Sequence, residues 1–84
     1  MSSSSMILYV KIGCHWCRVA EQYLDERGYK YQRLDARRDP EAFQELRRIS
    51  GQSYTPTLVF ENLLLADFGP DELEDFLKQH NILP

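Results

Sequence analysis

The chain has 84 residues and a formal net charge of −3. That length holds one domain with a modest core, and the charge gives no basic footprint for nucleic acid. No apolar run approaches the length of a membrane span. The opening Met1-Ser2-Ser3-Ser4-Ser5 reads as a flexible polar tail, 1–5, ahead of a domain over 6–84. It lacks the basic n-region and long apolar h-region of a secretory signal.

The first predicted strand runs from Met6 to Ile12. It leads into Lys11-Ile12-Gly13-Cys14-His15-Trp16-Cys17, which holds the two cysteines of the chain at a C-x-x-C spacing. A helix follows, with Trp16, Val19, Ala20, Tyr23, Leu24 and Arg27 spaced to form one stripe. A dithiol between a strand and a helix N-terminus is a redox motif. Unpaired N–H groups and the positive end of the helix dipole favour a thiolate, which is the nucleophilic form. As a staple the pair would do little, because it closes a very small loop. A zinc site needs about four ligands, and only His15 and His80 supplement the thiols. His15 lies between the cysteines, poorly placed to share a tetrahedral site with both, so no metal site is predicted.

Gly28 suits a helix end, and a strand is predicted from Tyr29 to Leu34. A strand–helix–strand order makes the two strands parallel through a right-handed crossover. Asp39-Pro40-Glu41 starts the second helix with an N-cap, a proline at the first position and an acid in the first turn. Its stripe is Ala42, Phe43, Leu46 and Ile49, and Gly51 ends it. Tyr54-Thr55-Pro56-Thr57-Leu58-Val59-Phe60 bends into a third strand. Glu61-Asn62 turns into Leu63-Leu64-Leu65-Ala66. Gly69-Pro70 opens the last helix, with Leu73, Phe76 and Leu77 facing inward.

Four separated features now stand in register: Lys11 three residues before the first cysteine, the Cys14-x-x-Cys17 pair, Thr55-Pro56 before the third strand, and Gly69-Pro70-Asp71 at the last helix. In this the chain resembles the glutaredoxins of the thioredoxin-fold superfamily over nearly all of Met6 to Gln79. The resemblance implies an α/β fold, a thioredoxin-like βαβαββα with a four-stranded mixed sheet flanked by three helices. It implies a cis Thr55-Pro56 bond, with the Thr55 backbone facing Cys14 and free to pair with an extended thiol substrate. The bland alternative is a trans proline opening an edge strand.

The resemblance also assigns the site. Cys14 is the expected nucleophile and Cys17 the resolving thiol. Lys11 is expected to lower the Cys14 pKa and to meet a substrate carboxylate. Trp16 is expected to divide its role between a substrate groove and the helix stripe. Gln52, Thr55, Pro56, Gly69 and Asp71 complete a substrate-binding outline. His15 either tunes reactivity or is an exposed polar residue, and the pairs Arg37-Arg38 and Arg47-Arg48 read as solvated surface.

Two departures bear on glutathione, the expected co-substrate. Ser50-Gly51-Gln52 stands where many bacterial members carry Ser-Gly-Arg, so Gln52 brings no charge. Phe68-Gly69-Pro70-Asp71 replaces the usual Gly-Gly-x-Asp, and Pro70 has no N–H to donate. That stretch is similar to the glutaredoxin-like redoxins that serve ribonucleotide reductase and are recycled by thioredoxin reductase. The expected function is a dithiol oxidoreductase acting on protein disulfides or glutathione mixed disulfides, with no permanently bound cofactor. The alternatives are a redoxin recycled by thioredoxin reductase and a [2Fe–2S] cluster carrier. The expected protein is a cytoplasmic monomer with no nucleic-acid or membrane partner.

Overall fold

The computed structural model describes residues 6–84; the predicted tail, 1–5, lies outside the described residues. The elements run β1 Met6–Val10, α1 His15–Glu26, β2 Gln32–Asp35, α2 Pro40–Ser50, β3 Thr57–Phe60, β4 Leu63–Ala66 and α3 Pro70–Gln79. The order is the predicted βαβαββα. The sheet order is β2-β1-β3-β4. β1 pairs parallel with β2, while β1–β3 and β3–β4 are antiparallel.

The strand period of two divides the core. Met6, Leu8 and Val10 point to one face, where they meet Cys17, Ala20 and Leu24 of α1 and Leu73, Phe76 and Leu77 of α3. Ile7 and Tyr9 point to the other, where Ala42, Phe43, Leu46 and Ile49 of α2 cover them. Two helices therefore shield one face and one helix the other. One end of this sandwich gathers the ends of β1, β2 and β4, the start of β3, and the N-termini of α1 and α3.

Three sequence expectations shift. β1 stops at Val10, not Ile12, because Lys11 to Cys14 form a turn. β2 starts at Gln32, not Tyr29. Tyr29 N–H closes the α1 end on Leu24 O (3.0 Å), and its hydroxyl donates to Ile82 O (2.7 Å). The strand then reaches Asp35, whose carboxylate accepts the N–H groups of Arg37 and Arg38 and ends it. The buried line of α1 is Cys17, Ala20 and Leu24, with Trp16 and Arg27 exposed. The stripe is turned because Cys17 is drawn inward, and Arg27 instead stacks over the Tyr23 ring.

Capping and packing can be ranked within α2. Asp39 accepts the Glu41 N–H at 3.0 Å as N-cap, whereas Leu46 is fully buried. Asp39→Ala should cost about 1 kcal/mol and Leu46→Ala about 2–5 kcal/mol. Urea unfolding of the two variants checks the order, and equal losses would contradict the account of α2 as held by its packing.

Candidate active site

The site begins with a turn that only a glycine makes easily. Cys14 N–H bonds Lys11 O at 3.1 Å, which needs Gly13 at φ +86°. A side chain would have open space there, so the backbone conformation is what asks for glycine. The turn delivers Cys14 to the N-cap of α1. Its Sγ accepts the Cys17 N–H at 3.2 Å, taking the role usually filled by a serine or aspartate oxygen. Three residues into the helix, Cys17 is buried at 1% exposure.

A second element approaches from the sheet. The Thr55 hydroxyl donates to Cys14 Sγ at 3.6 Å, and Thr55 O lies 3.8 Å from the same sulfur, placed to accept from the thiol. The Thr55-Pro56 bond is cis, as the resemblance implies. A closed network holds this segment. Gln52 Nε2 donates to Ser50 Oγ (2.7 Å) and Thr57 Oγ1 (3.2 Å), and its Oε1 accepts the Tyr54 N–H (2.6 Å). Thr57, wholly buried, donates from its hydroxyl to Tyr54 O at 2.8 Å. Pro56 O accepts from Asp67 N–H at 2.9 Å, tying the end of β4 to the same loop.

The two thiols are pushed apart. Burial alone raises both, since it disfavours a charged sulfur. At Cys14 the hydrogen bonds from Cys17 and Thr55, with the backbone N–H groups of Cys17 and Trp16, outweigh burial and hold the thiol below its ordinary range. At Cys17 burial dominates, the bond to Cys14 adds to it, and the thiol is pushed up to about 11.

Lys11 is anchored: its ammonium donates to Ser53 O at 2.7 Å. The leading groups that lower Cys14 are its hydrogen-bond partners, Cys17, Thr55 and the N–H groups of the helix start. Two further ammonium protons remain for a ligand. Both ends of the Gln52 amide are engaged in the loop, where it braces the segment that carries Thr55.

On the other side, Trp16 is 53% exposed and so leaves the core stripe. With Asp67, Phe68, Gly69 and Glu72 it lines a cleft of about 280 Å³. Phe68 is itself buried in the core. Asp71 is exposed and does not line this cleft. The structure thus brings Cys14, Cys17, Thr55 and Pro56 together, and pairs Trp16 with Gly69. It leaves Gln52 and Asp71 at the margins. Two contributors were missed in the sequence. Ser53 offers only a carbonyl, which no sequence signal marks. Glu72 accepts the Gly69 N–H at 2.5 Å, and its place three residues after the N-cap was a readable half of a capping box.

The sequence model of the glutaredoxin family matches residues 6–64, which include the turn, both thiols and the Thr55-Pro56 segment. The chain belongs to the glutaredoxin family. A glutaredoxin from Brucella melitensis is 28% identical, with a TM-score of 0.70 over 98% of this chain and 91% of that one. NrdH-redoxin from Escherichia coli is similar at 23% identity and a TM-score of 0.73, covering 94% of this chain and 95% of its own. A buckwheat glutaredoxin–glutathione complex has a TM-score of 0.69 at 21% identity, over 92% of this chain and 72% of that chain. The last two likenesses carry the thioredoxin-type fold.

The Thr55 hydroxyl is the side-chain donor to test. Thr55→Val keeps the branched shape and removes one hydrogen bond, worth about 0.5–1.5 kcal/mol. The Cys14 pKa should rise, and alkylation at pH 7 should slow by about three- to tenfold. Iodoacetamide kinetics against pH check this, and an unmoved midpoint would contradict the assignment.

Proposed function

We propose that this glutaredoxin-family protein is a dithiol oxidoreductase that reduces protein disulfides and, less efficiently, glutathione mixed disulfides. The observation that carries the reading is the contrast between the two thiols. Cys14 is partly open and held toward the thiolate, while Cys17 is buried and held as a thiol.

The steps balance as thiol–disulfide exchange. The Cys14 thiolate attacks one sulfur of a substrate disulfide. That S–S bond breaks, the other sulfur leaves as a thiolate and takes a proton from solvent, and a mixed disulfide forms on Cys14. Once Cys14 is bonded, it no longer bears the charge that holds the Cys17 proton in place. Cys17 loses its proton, attacks Cys14 Sγ and releases the second substrate thiol. The substrate gains two electrons and the protein is left with a Cys14–Cys17 disulfide, which two electrons from a thiol reductant reopen. The Thr55 main chain at the cis proline offers an edge on which an extended substrate lies beside Cys14.

Glutathione serves as a co-substrate in this reading, but a weak one. Pro70 has no N–H, the Gly69 N–H is already bonded, and Gln52 is neutral and engaged. A missing charge-assisted hydrogen bond costs roughly 1.5–3 kcal/mol, or about one to two powers of ten in affinity. These same features favour a second reading, a redoxin recycled by thioredoxin reductase, and the buried Phe68 ahead of Gly69-Pro70-Asp71 supports it. A cluster carrier, bridged between two subunits by Cys14 and glutathione, ranks behind both because the same features weaken the glutathione site. The working form proposed is a monomer in a reducing compartment such as the cytoplasm.

Cys17→Ser should accumulate a mixed disulfide on exposure to disulfide-intact insulin or oxidised glutathione, visible by intact mass, and Cys14→Ser should form none. Trapping on Cys17 in the Cys14→Ser variant would reverse the two roles. Recycling of the oxidised wild-type protein by thioredoxin reductase, with no response to glutathione, would select the redoxin reading.

A further inference from the structure

The cleft next to Cys14 has a chemical bias that the exchange reaction does not require. Trp16 forms one wall, and Asp67, Phe68, Gly69 and Glu72 form the rest. The start of a helix ordinarily greets an anion with free N–H groups. At α3 that welcome is reduced at two positions. Pro70, the first helical residue, has no N–H. The Gly69 N–H is bonded to Glu72 Oε1 at 2.5 Å. The same oxygen lies 3.5 Å from where a Gly69 Cβ would sit, and that Cβ would also be 4.0 Å from the Trp16 ring. The Glu72 carboxylate therefore lies beside the glycine, and Glu72 shares the lining of the cleft with Trp16. Asp67 adds a second carboxylate, and no cationic side chain lines the cleft.

We propose that Glu72 sets substrate selectivity: held on the Gly69 N–H, its carboxylate closes the cleft beside the dithiol to an anionic group and leaves it to neutral or cationic ones resting against Trp16. The inference rests on the thiol-exchange reading and deepens it. An anion entering the cleft meets like charge and must displace a charge-assisted hydrogen bond to reach the Gly69 N–H. A neutral or cationic group escapes both penalties, and a cation gains the face of Trp16. A disulfide whose flanking group is neutral or basic is thus preferred over a small acidic disulfide.

Three small disulfides separate these cases: oxidised glutathione (anionic), hydroxyethyl disulfide (neutral) and cystamine (cationic). The measurement is the second-order rate constant for oxidation of the reduced full chain by each, read as loss of free thiol. Because intrinsic leaving-group reactivity is common to all variants, the quantity of interest is the oxidised-glutathione rate divided by the hydroxyethyl disulfide rate. Glu72→Ala should raise that ratio about tenfold, the scale of one charge-assisted hydrogen bond, and should lower the relative rate with cystamine. Glu72→Gln keeps an oxygen acceptor for Gly69 and drops the charge. It should raise the ratio about threefold, and it serves as the test on its own if circular dichroism shows that Glu72→Ala loses α3. A ratio within twofold of wild type in the folded variants overturns the selectivity role. Failure of wild type to react with any of the three disulfides overturns the thiol-exchange reading, and the inference with it.

Discussion

Cys14 sulfur occupies the place of an N-cap oxygen, and the rest of the site follows from that hydrogen bond. Capping α1 with residue 14 sets the phase of the helix. Cys17 turns into the core and Trp16, one residue earlier, turns out to the cleft. A sulfur accepts weakly as a thiol and strongly as a thiolate. The group that ends the helix and the group that attacks the substrate are therefore one, and the charged form is the better cap. The linkage has a definite sign. The lowered Cys14 pKa adds stability above the ordinary thiol range, and that gain is lost as pH falls through its folded value. The raised Cys17 pKa adds stability below the ordinary range, and that gain is lost as pH rises toward about 11.

The sheet supplies the second half of the site from the opposite direction. Ser50, Gln52, Tyr54 and Thr57 bond to one another and leave Thr55 aimed at Cys14. Gln52 spends its hydrogen bonds inside the loop, and the Lys11 ammonium is anchored on Ser53 O while Arg37 donates to Ile12 O beside it. Across the dithiol the α3 start is acidic, its Gly69 N–H is bonded to Glu72 and Pro70 has no N–H. Basic side chains therefore lie toward the end of β1 and acidic ones toward α3, and Ile12, Trp16 and Tyr54 are exposed.

The fold was legible because its signals are local and agree with one another. Asp39-Pro40, Gly51 and Glu61-Asn62 mark boundaries by backbone chemistry alone, and the apolar stripes of α2 and α3 face the core where their spacing puts them. The ends of β1 and β2 were less legible. Tyr29 and Tyr31 alternate as strand residues do, yet a helix cap and distant hydrogen bonds to Ile82 and Asp25 claim them first. The dithiol was readable from spacing. So was the part played by the helix-start N–H groups; the hydrogen bonds from the Cys17 thiol and from Thr55, 41 residues away in sequence, were not. The engagement of Gln52 and the anchoring carbonyl of Ser53 are tertiary facts with no sequence mark.

The central claim is that one end of the sheet holds two thiols of opposite character. Site-resolved titration of the two cysteine β-carbons in the reduced protein, by 13C nuclear magnetic resonance, tests it most directly. The account predicts that Cys14 titrates below the ordinary thiol range while Cys17 remains a thiol until the pH approaches about 11. Two cysteines titrating together near the ordinary value, or Cys17 losing its proton first, would contradict it.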